Sequence, residues 1–478
     1  MDGKADKALH EAIPNANINY APINKDQGRT DVANAARLAE KNYEYLQWVA
    51  EWDKFIAWDG TRWLVDEMRT VERRAKRVSD GLWDELFKLR DGTEAKLWMQ
   101  CLQWVKYSSS VRGLGAMISL ARELLAVSHD DLDADPWLFN VQNGTIDLRT
   151  GQLRPHDRAD LITKIAPVQY NPAATCPTWE RFVSEVSCGN QTLVNYRRRL
   201  YGYALTGVIR EHVLPFFYGT GANGKSTELQ TILETWGDYG YKAPEDLILV
   251  KRWEVHPTER AALFGKRLVV CIETEDGRRM AEVQVKELTG GDTVTARRMR
   301  EDFWSYAPTH KLVVAGNYRP TIRGHDLGIW RRVKLVPFNA VFLDGKADTA
   351  MKEKLLAERS GILNWCIAGC LEWQRHGLGE PETVTEQTQN YRQDMDRVGE
   401  FVQDYCDVGK DLETNARDLW EAFTKLTGET MSQVAFAERL TALGFRNRDA
   451  KGKPLRRTTT SCKGRRYWKG MRLRPWSP

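Results

Sequence analysis

The chain has no stretch approaching the ~18 consecutive apolar residues of a membrane-spanning helix, so its 478 residues are expected to fold in water. It also lacks a C-x-x-C pair among its eight cysteines, Cys101, Cys176, Cys188, Cys271, Cys366, Cys370, Cys406 and Cys462. That absence excludes a zinc ribbon and a dithiol redox motif, and leaves reduced, mostly buried thiols as the expectation. The opening MDGKADKALHEAIPNANINYAP has no apolar run between a basic start and a small-residue cleavage site. No secretory signal is expected, and the expected compartment is the cytosol, that of a bacterial host. Internal repeats and low-complexity tracts are missing, as are nuclease and protease motifs. Acid is nearly missing from one end: residues 445–478 hold twelve Lys or Arg against Asp449 alone. This tail carries +11 of a formal net +5, leaving −6 for everything before it. Solubility does not require charge confined to one end, whereas a phosphate-binding surface does, so the tail is expected to bind a polyanion.

With 42% hydrophobic and 28% charged residues, the chain is of ordinary globular composition and long enough for about three domains. Residues 1–30 are polar and aperiodic, and are expected to form a flexible arm. From 31 to 185 an α+β domain is expected. TDVANAARLAEKNYEYLQWV reads as a capped helix, FIAWDGTRWLVD as two strands about Asp59-Gly60, and DPWLFNVQNGTIDLRTGQLRP as strands about Asn143-Gly144 and Thr150-Gly151. Tryptophans in these patterns are read as core. The acidic HDDLDAD (129–135) has no β-rich run to present paired carboxylates to two metals, and is read as a solvated loop. Residues 186–345 alternate apolar strands with helices, an α/β layered domain. Residues 346–396 read as a helical segment or linker, and 397–478 as a basic winged-helix-like DNA-binding domain: two helices joined at Gly428, then a hairpin about Lys463-Gly464.

The most informative segment is GTGANGKST (219–227), which fits G-x-x-x-x-G-K-[ST] between the apolar VLPFFY and the helical ELQTILETW. Glycines there let backbone N–H groups converge on phosphates at a helix N-terminus. Gly219, Thr220, Gly221, Ala222, Asn223, Gly224, Lys225, Ser226 and Thr227 are therefore the expected ATP-binding loop, with Lys225 on the β/γ oxygens and Ser226 on Mg²⁺. The apolar run of KRLVVCIETED ends in Glu273, with Glu275 and Asp276 following. Glu273 is the favoured general base or Mg²⁺-shell group through water, with Glu275 close behind. KLVVAGN ends in Asn317, whose amide can orient water or sense the γ-phosphate. Arg331 and Arg332 open another apolar strand, from which an arginine can reach a neighbouring subunit's γ-phosphate. Between the acidic motif and Asn317, KELTGGDTVTARRMREDFWSYAPTHK reads as a hairpin tipped by charge, from which Arg297, Arg298, Arg300 and Lys311 are candidates to grip a nucleic-acid backbone. In the tail the candidates are Arg456, Arg457, Lys463, Arg465 and Arg466.

In order, GTGANGKST, LFGKRLVVCIETEDG, KELTGGDTVTARRMR, THKLVVAGNYRP and GIWRRVKLVPF closely resemble the superfamily 3 helicases of the phage/plasmid primase-helicase (poxvirus-like) group. The resemblance covers the ATPase from about 200 to 340 and, more loosely, the regions on either side. It implies an AAA+-type P-loop fold, a ring that is usually a hexamer, and ATP-driven movement along single-stranded DNA, generally 3′ to 5′. Position by position, Lys225 and Ser226 match the P-loop, Glu273 and Glu275 the acidic motif, Asn317 the polar sensor, and Arg331–Arg332 the trans-acting arginine. Many members carry a primase-polymerase domain ahead of this region. The residues preceding the P-loop are mostly accounted for here, so a helicase without primase activity is expected, with any primase a separate protein. Its partners are single-stranded and forked DNA and other copies of itself, with no membrane. The competing reading is an origin-binding initiator or loader that uses ATP as an assembly switch.

Overall fold

A computed structural model describes residues 20–251, 258–272, 277–297, 302–322, 327–342, 348–428, 431–449, 453–455 and 466–474. The N-terminal unit begins where Thr30 caps the helix Asp31–Asn42, its side chain accepting from the Ala33 N–H. Strands Leu46–Val49, Lys54–Trp58 and Trp63–Val65 run antiparallel, and Ala126–Val127 adds in parallel beside the first. Helices Thr70–Lys88, Ala95–Ser108 and Val111–Leu124 fill the interval. The Asp59 carboxylate accepts from the Thr61 and Arg62 N–H groups and so fixes the turn read from the sequence.

Two expectations for this unit are corrected. The flexible arm does not extend to residue 30: Ile23 is fully buried among Leu82, Leu86, Cys101 and Val105, and Arg37 donates to the carbonyls of Ala21 and Gly28. One apolar side chain and one buried guanidinium tie down a segment whose composition is otherwise that of a tail. Residues 1–19 lie outside the described residues. HDDLDAD is likewise folded rather than merely solvated. Asp131 completes a capping box with Ser128, Asp133 accepts from the Thr163 N–H, and Asp135 pairs with Arg149. No metal-ligating cluster of acids, histidines or cysteines occurs among the described residues.

The centre is a five-stranded sheet. Its strands are β1 (Leu214–Tyr218), β2 (Gly240–Ala243), β3 (Leu268–Ile272), β6 (Lys311–Gly316) and β7 (Val333–Pro337), ordered β7-β1-β6-β3-β2 and all parallel. Helices α1 (Lys225–Trp236) and α2 (Glu282–Gly290) connect strands. The antiparallel hairpin of β4 (Val294–Arg297) and β5 (Phe303–Tyr306) stands between α2 and β6. Every residue of β3 and β6 is buried, because layers cover both faces; this is why these strands read as unbroken apolar runs. Alternation sends Leu268, Val270 and Ile272 into one core and Val269 and Cys271 into the other.

The segment 346–396 is not a linker. Its helix α3 (Arg359–His376) buries Ile362, Leu363, Cys366, Ile367, Cys370 and Trp373 in the first of these cores. Gly369 crosses the helix Gln191–Leu205 so closely that a Cβ there would meet the Arg198 carbonyl, and a Cβ at Gly202 would meet the backbone of Cys370.

In the C-terminal unit, β8 (Cys406–Asn415) leads into the helix Ala416–Thr427, which Asn415 caps and Gly428 ends in the left-handed region. A second helix, Gln433–Ala442, starts at Ser432, and β9 (Tyr467–Leu473) returns antiparallel to β8. The expected turn at Lys463-Gly464 lies outside the described residues; β9 pairs along its length with the charged segment CDVGKDLETN, and Lys469 also bridges Arg446. Trp468 and Met471 of β9 are essentially fully buried, so the tail is in part a core strand. Trp468→Ala is expected to cost about 3–5 kcal/mol and to lower a thermal transition belonging to this unit. Among the described residues no helix is long and apolar enough to cross a membrane.

Candidate functional site

Because all five strands are parallel, their carboxyl ends lie along one edge, where ligands bind in open α/β sheets. Three segments meet there: the loop after β1, the end of β3 at Ile272, and Asn317 after β6. The loop turns through left-handed backbone at Gly221 (φ 108°), Ala222 (φ 47°) and Gly224 (φ 85°), and α1 begins at Lys225. Packing requires glycine at two positions. A Cβ at Gly219 would collide with the Asn223 amide and the Phe338 carbonyl, and one at Gly224 would sit 2.7 Å from Val186 Cγ1. Ala222 carries side-chain strain in the left-handed region, and its carbonyl accepts from the Phe342 N–H.

Lys225 is 6% exposed. Its Nζ donates to the Gly219 carbonyl at 2.7 Å, to Asn223 Oδ1 at 3.0 Å and to Asn317 Oδ1 at 3.0 Å. Burial pushes its pKa down to about 8. A cavity of about 280 Å³ opens beside it, lined by residues 221–227, Ile272, Ala315, Gly316 and Asn317. The structure thus gathers the sequence-predicted Gly219–Thr227 loop and Asn317 around one space, with Ser226 exposed at its rim. Glu273 and Glu275 lie outside the described residues, one and three positions beyond Ile272. The arrangement suits an anion: N–H groups at a helix start, a cation with rotatable donors, and an amide across the sheet.

A second cavity of about 250 Å³ backs onto this loop through Val186 and the 337–339 segment; Leu193, Thr383 and Gln387 also line it. A wider groove of about 540 Å³ runs past edge strand β2 between Tyr241 and Arg278, with no glycine loop beside it.

One group escaped the sequence reading. Glu228, one turn into α1, is completely buried, and so is its partner Arg197. Arg197 donates to one carboxylate oxygen at 3.2 Å and the Tyr201 hydroxyl to the other at 2.9 Å; burial raises the Glu228 pKa. The Arg197 guanidinium also lies 3.8 Å from the Phe338 ring centre. A buried pair of this kind contributes little net stability but is costly to break, and it locks α1 against the helix Gln191–Leu205. The signal was a carboxylate on the apolar side of ELQTILETW.

The two arginines before β7 part company. They sit just ahead of the amino end of a strand parallel to β1, about 20 Å from the loop edge at ~3.3 Å per residue. Arg332 is buried, its guanidinium donating to Thr289 Oγ1 at 3.0 Å and the Gly328 carbonyl at 2.8 Å. It is corrected from a candidate for reaching another subunit to a group held inside this one. Arg331 is exposed.

Lys311 is also corrected. It does not project from the hairpin: it is buried, its Nζ donates to the Thr206 and Thr309 carbonyls and lies 4.7 Å from the Tyr203 ring centre. Burial holds its pKa well below the usual lysine value. Arg297 is on the exposed face of β4, while Arg298 and Arg300 lie outside the described residues, as do Arg456, Arg457, Lys463 and Arg465. Arg466 is exposed just ahead of β9. Further along β9 the tail charge is partly matched by β8: Arg474 pairs with Asp407 at 3.1 Å, Arg472 approaches the same carboxylate at 3.7 Å and Lys469 approaches Glu413 at 3.8 Å. Exposed pairs of this sort contribute ~0–1 kcal/mol each.

Comparison with known proteins divides along the same lines. Residues 35–188 match a family described as "D5 N terminal like", and residues 217–332 match a family of unknown function, DUF5906. The second match spans the glycine loop, the hairpin and both arginines. Three viral proteins are similar. "Putative helicase L207/L206" of Acanthamoeba polyphaga mimivirus is 27% identical over 58% of this chain and 31% of its own length. "Putative helicase 184R" of Invertebrate iridescent virus 6 is 24% identical over 50% and 26%. "Putative helicase 022R" of Frog virus 3 is 28% identical over 62% and 39%. The chain spans about a third of the length of these relatives. Two solved structures of the NrS-1 C-terminal region align with 89% of the chain: one covers 95% of the solved chain at 11% identity and TM-score 0.47, the other 96% at 10% and 0.46.

Proposed function

We propose that this chain is an ATP- and Mg²⁺-dependent motor of the helicase type, acting on single-stranded DNA as a ring of identical subunits. The observation that carries the reading is the Lys225 ammonium, which bonds both to its own glycine loop and to Asn317 across the parallel sheet. That is a cation poised between a phosphate cradle and a polar group able to report what occupies it. In the proposed cycle the loop N–H groups and Lys225 hold the β- and γ-phosphates, Ser226 would ligate Mg²⁺, and Glu273 would activate water, with Glu275 the second candidate for that role. The nucleobase occupies the cavity behind Val186. Arg331, exposed and remote from its own loop, completes the site of a neighbouring copy. The similarity to viral proteins named as helicases supports the direction of this reading.

ATP turnover with and without single-stranded DNA tests it: stimulation by DNA is expected, and turnover indifferent to DNA contradicts it. A pH dependence follows from Lys225. The free site holds the ammonium only below about pH 8, and phosphates favour its charged form, so binding takes up a proton once the pH exceeds that value. Affinity for a non-hydrolysable ATP analogue is therefore expected to fall roughly tenfold between about pH 7 and pH 9, as calorimetric titration would show.

A further inference from the structure

The β4–β5 hairpin presents two unlike faces. Val294, Ala296, Trp304 and Tyr306 point inward and are buried. Trp304 and Tyr306 both pack edge-on against Phe264, with ring centres 5.1 and 5.3 Å away. The Tyr306 hydroxyl donates to the Arg260 carbonyl at 2.6 Å, and His129 Nε2 lies 3.0 Å from the Ser305 carbonyl. The root of the hairpin is thereby clamped to the subunit, so residues on its other face are held in fixed positions.

That other face carries Thr295, Arg297, Phe303 and Ser305. Three of these suit water; Phe303 does not, yet it is 61% exposed. It sits directly opposite Arg297 in the strand register, with the guanidinium carbon 5.2 Å from the ring centre. An aromatic face and a cation are thus displayed side by side on a rigid platform. Stacking on a base uses the first and neutralising a phosphate the second, and stacking tolerates any sequence because every base has a π-face.

We propose that Phe303 is a base-stacking residue for single-stranded DNA, with Arg297 beside it on the phosphate backbone. This rests on the reading of the chain as a DNA motor, and it adds a contact that basic side chains alone do not supply. Backbone contacts resist lateral movement weakly, whereas a ring stacked on a base gives each hairpin a discrete hold on one nucleotide.

The two kinds of contact respond differently to salt. Replacing a phosphate contact lowers the slope of log K against log salt by about 0.7 on single strands, while removing a stacking ring lowers affinity and leaves the slope alone. The experiment measures anisotropy of a labelled oligothymidylate, and of an abasic strand of equal length, against the full chain at several salt concentrations. Phe303→Ala is expected to weaken oligothymidylate binding at least about 5-fold with unchanged slope. Phe303→Trp should bind as wild type, and Arg297→Gln should lower the slope. On the abasic strand, wild type and Phe303→Ala should be equal. Wild-type affinity in Phe303→Ala overturns the assignment, and so does an equal loss on both strands, which would mark a structural role. Absence of any single-strand binding by the wild type instead removes the motor reading beneath it.

Discussion

Lys225→Ala is expected to reduce ATP turnover by at least about 10²–10³-fold, the scale of losing one preorganised electrostatic contact to a transition state, while the protein stays folded. The fold should survive because the lysine is an electrostatic burden in the free protein: burial depresses its pKa to about 8, so its charged form is disfavoured where it sits. The three oxygens it leaves behind, on Gly219, Asn223 and Asn317, border an open cavity and can be hydrated. A thermal midpoint equal to or slightly above wild type should therefore accompany lost turnover. Lys225→Arg keeps the charge, but a planar guanidinium cannot replace three rotatable donors in this pocket, and it is expected to be nearly as inactive. A large drop in thermal midpoint for Lys225→Ala would show that the residue holds the loop together instead.

The second large effect separates two adjacent arginines. Arg331→Ala removes an exposed side chain and is expected to leave stability within about 0.5 kcal/mol and nucleotide affinity unchanged. It should nevertheless lower turnover of the assembled protein by about 10³–10⁵-fold if the guanidinium serves a neighbour's γ-phosphate. Arg332→Ala strips donors from Thr289 and Gly328 in a buried setting and should instead destabilise the subunit by about 1–3 kcal/mol. Mixing makes the trans claim sharper. Lys225→Ala retains Arg331, and Arg331→Ala retains its loop, so combining the two inactive proteins recreates about a quarter of the head-to-tail interfaces intact. Turnover should reappear on mixing; two variants that stay inactive together would place Arg331 outside any shared site.

Local chemistry was legible in the sequence. The glycine loop announces itself because phosphate binding needs backbone approach at fixed spacing, and β3 and β6 because a strand covered on both faces is apolar throughout. Asn317 could be placed near Lys225 only by supposing that β1 and β6 are neighbours, which the order β7-β1-β6-β3-β2 makes them. What escaped was decided by partners distant in sequence. Lys311 looks like a surface charge until Thr206 and Tyr203 close over it. Arg331 and Arg332 look alike until the turn into β7 directs one inward. CDVGKDLETN is mostly polar, and is a strand because Tyr467–Leu473 lies beside it. Ile23 is one apolar residue in a polar segment, and one was enough to fasten it.

The most direct measurement is displacement of one strand from a forked duplex by the full chain, with ATP and Mg²⁺, for wild type and Lys225→Ala in parallel with DNA binding. The account predicts that both proteins bind the fork and that only the wild type separates its strands, and only while ATP is hydrolysed. A wild type that binds and hydrolyses ATP yet leaves the duplex intact would contradict it, and would make the chain an initiator or loader that uses nucleotide to assemble on DNA.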